Sequence, residues 1–171
     1  MRKPILFAAA LLVAAPLAAL AGPEAGDKTF TISGTGSSDE NFDGNSFGVT
    51  GELGYFGTDA LQYGIRQSVS GVAGDKVSDA WSGATRLFAD YHFGCCAARP
   101  YVGVNVGGIY GESVEDTGTA GVELGVKWYV LDKTYINAGA EYAFLFSGSD
   151  DIDNNYDDGA FFYTLGVGFN F

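Results

Sequence analysis

The feature that most constrains the fold is an alternation of apolar with small or polar residues that recurs eight times along the chain. An alternation of period two places successive side chains on opposite faces of a β-strand. The runs are 9 to 12 residues long, and a tilted strand needs about 9–11 residues to cross the hydrocarbon layer of a membrane. The predicted strands are 28–36, 47–56, 61–70, 83–93, 101–110, 121–130, 135–146 and 160–171.

The apolar face of these strands is too bulky for the inside of an eight-stranded barrel. In the last run, for example, Val167, Phe169 and Phe171 alternate with Gly166 and Gly168. The interior of such a barrel is only just wide enough for side chains, and about five apolar side chains per strand would not fit there. We therefore predict that the apolar face contacts lipid and that the small and polar face lines the lumen. A soluble lipocalin-like carrier, with its apolar face inside, is the alternative.

The connections between the predicted strands alternate between long and short. They contain 10, 4, 12, 7, 10, 4 and 13 residues, a pattern typical of membrane barrels with long external loops and short periplasmic turns. The predicted fold class is all-β, an eight-stranded antiparallel up-and-down transmembrane β-barrel with four longer extracellular loops and three short periplasmic turns. Gln67 is the one awkward residue on the outward face, and a one-residue bulge could turn it inward.

The first 21 residues have the features of an export signal. Arg2 and Lys3 precede an apolar run over 5–15, and Ala19-Leu20-Ala21 is a small-x-small cleavage pattern. The alternative is an uncleaved membrane helix, but the apolar stretch is at the short limit for spanning a bilayer. We predict a cleaved secretory signal peptide at 1–21 and a barrel domain at 22–171.

Two stretches carry a resemblance to a known family. The C-terminal strand, 161–171, alternates aromatic and apolar residues and ends on a Phe, and Arg99-Pro100-Tyr101-Val102-Gly103-Val104-Asn105-Val106-Gly107-Gly108 looks like a mid-barrel strand. The chain thereby resembles the small outer-membrane β-barrel proteins of Gram-negative bacteria, of the OmpA-transmembrane-domain and OmpX type. The resemblance implies location in the outer membrane, contact with its lipid and lipopolysaccharide, and recognition of Phe169 and Phe171 by the barrel-assembly machinery.

The family does not imply one activity, because its members include structural anchors, adhesion-related barrels and a few lipid-modifying enzymes. An enzyme of this type would need a His, Ser and acid set near the outer leaflet. The only histidine, His92, is predicted at the opposite end. We therefore expect no enzyme and no cofactor, and we expect a monomer.

Ionisable residues on the inward face form a candidate lumen charge network. Unpaired ions in so narrow a space would be costly, so a paired network that plugs the lumen is expected. The alternative is a proton or ion path, which would make the protein a narrow porin for small ions or solutes. The network comprises Glu52, Arg66, Arg86, Asp90, His92, Glu123, Lys127 and Glu141.

The predicted external loops are acidic. The chain has a net charge of −12, and the loops hold thirteen acidic residues against Lys76 alone, so nucleic acid is excluded as a partner. The expected role is structural or interactive, through these loops. Oxygen ligands at calcium-like spacing are weak candidates for a metal site, with divalent cations shared loosely with lipopolysaccharide as the alternative. These candidates are Asp39, Asn41, Asp43, Asp151, Asp153, Asn155 and Asp157.

Two adjacent cysteines, Cys95 and Cys96, lie in a predicted periplasmic turn. The periplasm is oxidising, so a vicinal disulfide could form there. Two free thiols, or a lipid-facing Cys95 that acts as a small apolar residue, are the alternatives. The pattern does not indicate a redox function.

Overall fold

Eight antiparallel strands form one closed barrel. The computed structural model describes residues 22–39, 45–71, 81–94, 97–111, 117–146 and 159–171. Each strand pairs with its neighbour in sequence, and β8 pairs with β1 to close the sheet. The strands are β1 Lys28–Asp39, β2 Asn45–Phe56, β3 Leu61–Gly71, β4 Trp81–His92, β5 Ala98–Gly111, β6 Thr117–Tyr129, β7 Thr134–Phe146 and β8 Gly159–Asn170. No helix among these residues is long and apolar enough to cross a membrane.

The predicted fold class is confirmed, but several strands extend beyond their predicted ends. We call the end of the barrel with Lys28, Phe171 and the connections 57–60, 93–97 and 130–133 the turn end, and the opposite end the loop end. At the loop end the connections 40–44 and 112–116 are no longer than 93–97, so the strict alternation of lengths is not found. The reason is that Ser37, Ser38, Thr117 and Gly118 continue the backbone ladder after the apolar alternation has stopped.

The barrel is apolar outside and polar inside. Among the described residues, 27 large hydrophobic side chains are exposed and only six hydrophobic residues are buried, against 19 buried polar or charged residues. A barrel in water would show the opposite distribution. The apolar face is therefore outside, as predicted, and the lipocalin-like alternative is wrong because an apolar ligand-binding interior is missing from the described strands.

Aromatic side chains on the outer face gather toward both ends of the strands. At the turn end, the rings of Tyr55 and Tyr63 lie 5.6 Å apart and those of Phe30 and Phe169 lie 5.7 Å apart. At the loop end, exposed Tyr110, Phe146 and Tyr163 are joined by Trp81, which the sequence prediction left in a loop. Aliphatic residues occupy the middle of the strands, and they include Val49, Leu53, Ile65, Leu87, Val104, Val106, Val122, Leu124, Leu165 and Val167.

Gln67 faces outward, and the bulge proposed for it is not present. The pairing of β3 with β4 is continuous through Gln67 and Thr85. The Gln67 side-chain amide donates to the Tyr110 hydroxyl at 2.7 Å, and its carbonyl accepts from the Thr85 hydroxyl at 2.6 Å. These contacts satisfy the amide on an apolar surface, so no backbone distortion is needed to remove it from lipid.

Candidate functional site in the barrel lumen

The charged residues of the lumen are arranged with like charges on neighbouring strands. The β-sheet register places Arg66 directly opposite Arg86, and Glu123 directly opposite Glu141. Like charges at such cross-strand positions repel each other. These two bases lie on β3 and β4 and these two acids lie on β6 and β7, so pairs between them form across the lumen, whereas Glu52 on β2 lies directly opposite Arg66.

Arg66 is the centre of the largest group of contacts. Its guanidinium donates to Glu52 Oε2 from Nε at 3.1 Å and from Nη2 at 2.8 Å. It also donates to Glu123 from Nη1 at 2.7 Å and from Nη2 at 3.2 Å. Asn105 adds a hydrogen bond from its amide to Glu123 at 3.1 Å, and the guanidinium carbon lies 4.7 Å from the centre of the Phe88 ring. Both carboxylates are thereby hydrogen-bonded to one guanidinium, whose fork geometry suits bidentate pairing.

Lys127 extends this group toward the turn end. Its ammonium donates to Gln62 Oε1 at 2.5 Å and lies 3.4 Å from Glu52 Oε1. It also lies 5.0 Å from the centre of the Tyr135 ring, within the range of a cation–π contact. We call Glu52, Arg66, Glu123 and Lys127 the central charge cluster. All four side chains are buried.

The hydrogen bonds of Gln62 determine which ring nitrogen of His92 carries a hydrogen. Gln62 Oε1, which can only accept, lies 3.1 Å from His92 Nε2, so Nε2 carries the hydrogen. The side-chain amide of Gln62 donates to the Thr29 hydroxyl at 2.7 Å, which fixes its orientation. The His92 ring packs against Phe56 and Tyr101, with each centre 5.2 Å away. Within the described part of the chain, His92 therefore has no Ser–His–acid arrangement around it.

A second ion pair spans the lumen nearer the loop end. Arg86 Nη1 donates to Glu141 Oε2 at 2.6 Å, and Nη2 donates to the Ser68 hydroxyl at 3.3 Å. The Ser68 hydroxyl is 2.7 Å from that of Thr50, which is 2.5 Å from that of Thr35. This chain of hydroxyls leads from β1 to the guanidinium, so small polar side chains fill the wall of the lumen between the charges.

Aromatic rings fill the lumen at the turn end. We call Phe56, His92, Tyr101, Tyr129 and Tyr135 the ring layer; Phe56, Tyr129 and Tyr135 are almost fully buried, and the last two rings are 5.2 Å apart. This layer was not predicted from the sequence, although the alternation of the strands contains the signal. Residues an even number of positions apart on a strand share a face. Phe56 therefore faces the lumen with Glu52, Tyr129 with Lys127, and Tyr135 with Glu141.

A void of about 10 Å³ lies between the central charge cluster and β7 and β8, which is about the space that one water molecule requires. Its lining includes Arg66, Tyr101, Glu123, Glu141, Phe162 and Thr164.

Known structures share this architecture. No protein-family profile and no curated protein sequence matches the chain. The crystal structure of Neisserial surface protein A matches with a TM-score of 0.64 at 16% identity, covering 85% of this chain and 96% of that one. The N-terminal β-barrel domain of Pseudomonas aeruginosa OprF matches with a TM-score of 0.56 at 22% identity, covering 85% and 99%. Ail, the attachment invasion locus protein of Yersinia pestis, matches at 0.56 and 15% identity, covering 86% and 99%.

The fold is that of the small outer-membrane β-barrels. The resemblance predicted from the C-terminal strand is confirmed at this level. Identities of 14–22% among such neighbours establish the architecture and leave the activity open, because one fold hosts many functions.

The structure brings together most of the predicted lumen residues and leaves other candidate sites undescribed. All eight predicted lumen residues are buried, and Asp90 is the acid that lacks an ion pair among the described contacts.

Of the calcium candidates, the backbone of Asp39 ends β1 and pairs with Ala160, and the others lie outside the described residues. The signal segment 1–21, Cys95 and Cys96 lie outside them as well. No cluster of three metal-binding side chains occurs in the described ranges.

The predicted assembly residues lie where the barrel closes. Phe169 is on the outer face of β8, with its ring 6.0 Å from that of Phe171. Phe171 exchanges backbone hydrogen bonds of 3.0 and 2.9 Å with Lys28, which joins the last residue to the first strand. Both rings are exposed on the lipid-facing side.

Proposed function

We propose that this protein is an integral outer-membrane barrel whose lumen is closed and whose role is carried by its surface loops. The observation that carries the proposal is that two sets of ion pairs cross the lumen and a layer of rings fills it at the turn end. Charges that are held in direct pairs, together with packed rings, support a lumen without a continuous water column. A plugged barrel acts through its outer surface, as an anchor or an interaction partner.

Location in the outer membrane is part of this proposal. It is supported by the apolar outer face with aromatic residues toward both ends, the distribution that a bilayer selects in barrels. The turn end, where Lys28 pairs with Phe171 and the connections contain four or five residues, is the end that would face the periplasm. The cleaved signal at 1–21 and assembly through Phe169 and Phe171 remain predictions within this proposal, as does the monomeric state.

We expect the protein to show no conductance above background in planar bilayers containing concentrated potassium chloride. The physical reason is that a small ion would have to displace the ion pairs and then pass the ring layer. A variant that combines Arg66→Ala, Glu123→Ala, Arg86→Ala, Glu141→Ala and Tyr101→Ala is expected to conduct, because it removes one ion pair from each set and one ring from the ring layer without changing the net charge of the lumen. Discrete steps from the wild-type protein would contradict the closed lumen and favour the narrow-porin alternative.

The loops at the other end point to a cationic partner. All four loop-end connections start and finish at the same rim, and together with the end of β1 they carry thirteen acids and Lys76. Ail has been crystallised with the heparin analogue sucrose octasulfate, which is a polyanion. A rim of net charge about −12 would repel such a ligand and attract cations or basic polypeptides. We therefore propose that the surface role of this chain involves partners of positive charge, divalent cations included.

We expect the protein in neutral lipid vesicles to bind polylysine at low salt and not heparin. Replacing the five aspartates at 150, 151, 153, 157 and 158 by Asn should slow polylysine association by about tenfold or more, because electrostatic steering depends on the local charge. The matched control replaces Asp59 and Asp132, exposed acids at the turn end. Association that is unchanged by the loop substitutions, or reduced equally by the control, would contradict the role of the loops.

A further inference from the structure

Asp90 is a buried acid without a basic partner. Its side chain faces the lumen from β4 and is 1% exposed, and no hydrogen-bond donor among the described residues reaches either carboxylate oxygen. The three bases of the lumen are all engaged with the other three acids. The lumen therefore contains one more acid than bases.

The register shows where this additional carboxyl lies. Asp90 is paired with Gly103 on β5, and Gly103 is paired with Glu123 on β6. A Cβ atom at Gly103 would collide with Asp90 Oδ1, so the Asp90 side chain lies over the glycine. Its carboxyl is thereby directed across the glycine toward Glu123, the residue opposite Gly103 on β6. Glycine at position 103 is what allows the two carboxyl groups to approach each other.

Two adjacent carboxyl groups in a buried site cannot both remain charged without a further positive charge. Arg66 supplies one charge to Glu123 but shares it with Glu52. We propose that the Asp90–Glu123 carboxyl pair is a binding site for one monovalent cation, either a proton or an alkali metal ion. The proposal does not depend on the role of the loops, and it would hold in a closed or a conducting lumen.

The surroundings of Asp90 favour a monovalent over a divalent cation. The described lumen contains one more acid than bases, so one positive charge restores neutrality, whereas a divalent ion would leave an excess positive charge. The described residues contain no larger group of acidic or metal-binding side chains that would offset it. The ionisable groups that face the site are Arg86 and His92 on β4, Arg66 on β3, Tyr101 on β5, Glu123 and Lys127 on β6, and Glu52 on β2.

The test is urea unfolding of the purified full chain in detergent micelles over a range of pH, in sodium, potassium or N-methylglucamine chloride at equal ionic strength. If the site holds a proton, the folded protein keeps it above about pH 4, whereas Asp90 in the unfolded chain loses it there. The free energy of unfolding then falls as pH rises. The folded-to-unfolded ratio decreases by up to about tenfold per pH unit until the folded pair also loses its proton. A bound alkali ion instead raises that ratio with sodium or potassium relative to N-methylglucamine.

Asp90→Asn should remove the fall of stability with rising pH or the alkali-ion dependence, whichever the wild-type protein shows. Asp132→Asn, at an exposed turn, is the matched control and should retain it. His92 is buried in the ring layer, and any contribution that it makes to the pH dependence is common to wild type and both variants. The same pH and cation dependence in wild type and Asp90→Asn would overturn the proposal.

Infrared spectroscopy of wild-type protein with carboxyl-labelled aspartate provides a measurement that requires no variant. At neutral pH, a bound proton gives the carbonyl stretch of a protonated acid, and this band should disappear at alkaline pH. A bound alkali ion gives a carboxylate band that shifts between sodium and N-methylglucamine. If neither band is observed, the proposal is overturned, and this result does not depend on whether Asp90→Asn folds.

Discussion

Replacing Arg66 by Met is expected to lower the free energy of unfolding by about 3–5 kcal/mol, the usual cost of removing one partner from a buried ion pair. Arg66 makes four hydrogen bonds to Glu52 and Glu123. Without it, two carboxylates remain buried with only Lys127, Asn105 and a hydroxyl nearby. The measurement is the urea midpoint in detergent micelles, followed by the gel-mobility difference between boiled and unboiled samples.

A charge-balanced version of the same site separates loss of pairing from loss of packing. Adding Glu123→Gln to Arg66→Met removes one stranded carboxylate and leaves Glu52 with Lys127, so it should restore most of the lost stability. The control is Lys133→Met, because Lys133 is 57% exposed and its 3.4 Å pair with Asp27 lies at the surface, where such pairs contribute about 0–1 kcal/mol. If Arg66→Met costs no more than Lys133→Met, the central charge cluster is solvated and does not hold the lumen closed.

Replacing Leu165 by Arg is expected to destabilise the barrel in lipid vesicles by about 2–4 kcal/mol. Leu165 lies halfway along β8 on the outer face and is 65% exposed. In water, a charge at so exposed a position would cost almost nothing. At the middle of a bilayer the guanidinium must be taken out of water or must distort the lipid to reach it.

Leu131 provides a matched control for this substitution. It is the same residue type with the same 65% exposure, but it lies in the turn 130–133 at the end of the barrel. Leu131→Arg should cost only about 0–1 kcal/mol, because the lipid penalty falls toward the interface. Equal and small losses for both variants, measured as folded fraction in vesicles, would show that the apolar face is not embedded in lipid.

The separation of the two faces could be predicted from sequence because it depends only on local backbone geometry. A β-strand alternates its side chains regardless of what surrounds it, so the inward parity of residues such as Glu52, Arg66 and Asp90 followed directly. The strand ends were less accurate. Polar residues such as Ser37 and Thr117 continue the hydrogen-bonded ladder without continuing the apolar pattern that defined the predicted ends.

The exception at Gln67 shows a limit of the same reasoning. A polar side chain on the apolar face suggested a bulge, because the alternation rule considers each strand separately. In the barrel, Thr85 and Tyr110 from the next two strands satisfy the amide. A local pattern contains no information about polar partners supplied by neighbouring strands.

The sequence by itself determined the number of strands, the antiparallel order and the identity of the inward charges. Only the tertiary structure decided how those charges pair. The contacts from Arg66 to Glu123 and from Arg86 to Glu141 join residues 57 and 55 positions apart, across a lumen that exists only once β8 has paired with β1. Closure and register set these distances, and they also leave Asp90 beside Glu123 over a glycine. The reason is physical: alternation is a property of one strand, whereas electrostatic pairing is a property of the closed cross-section.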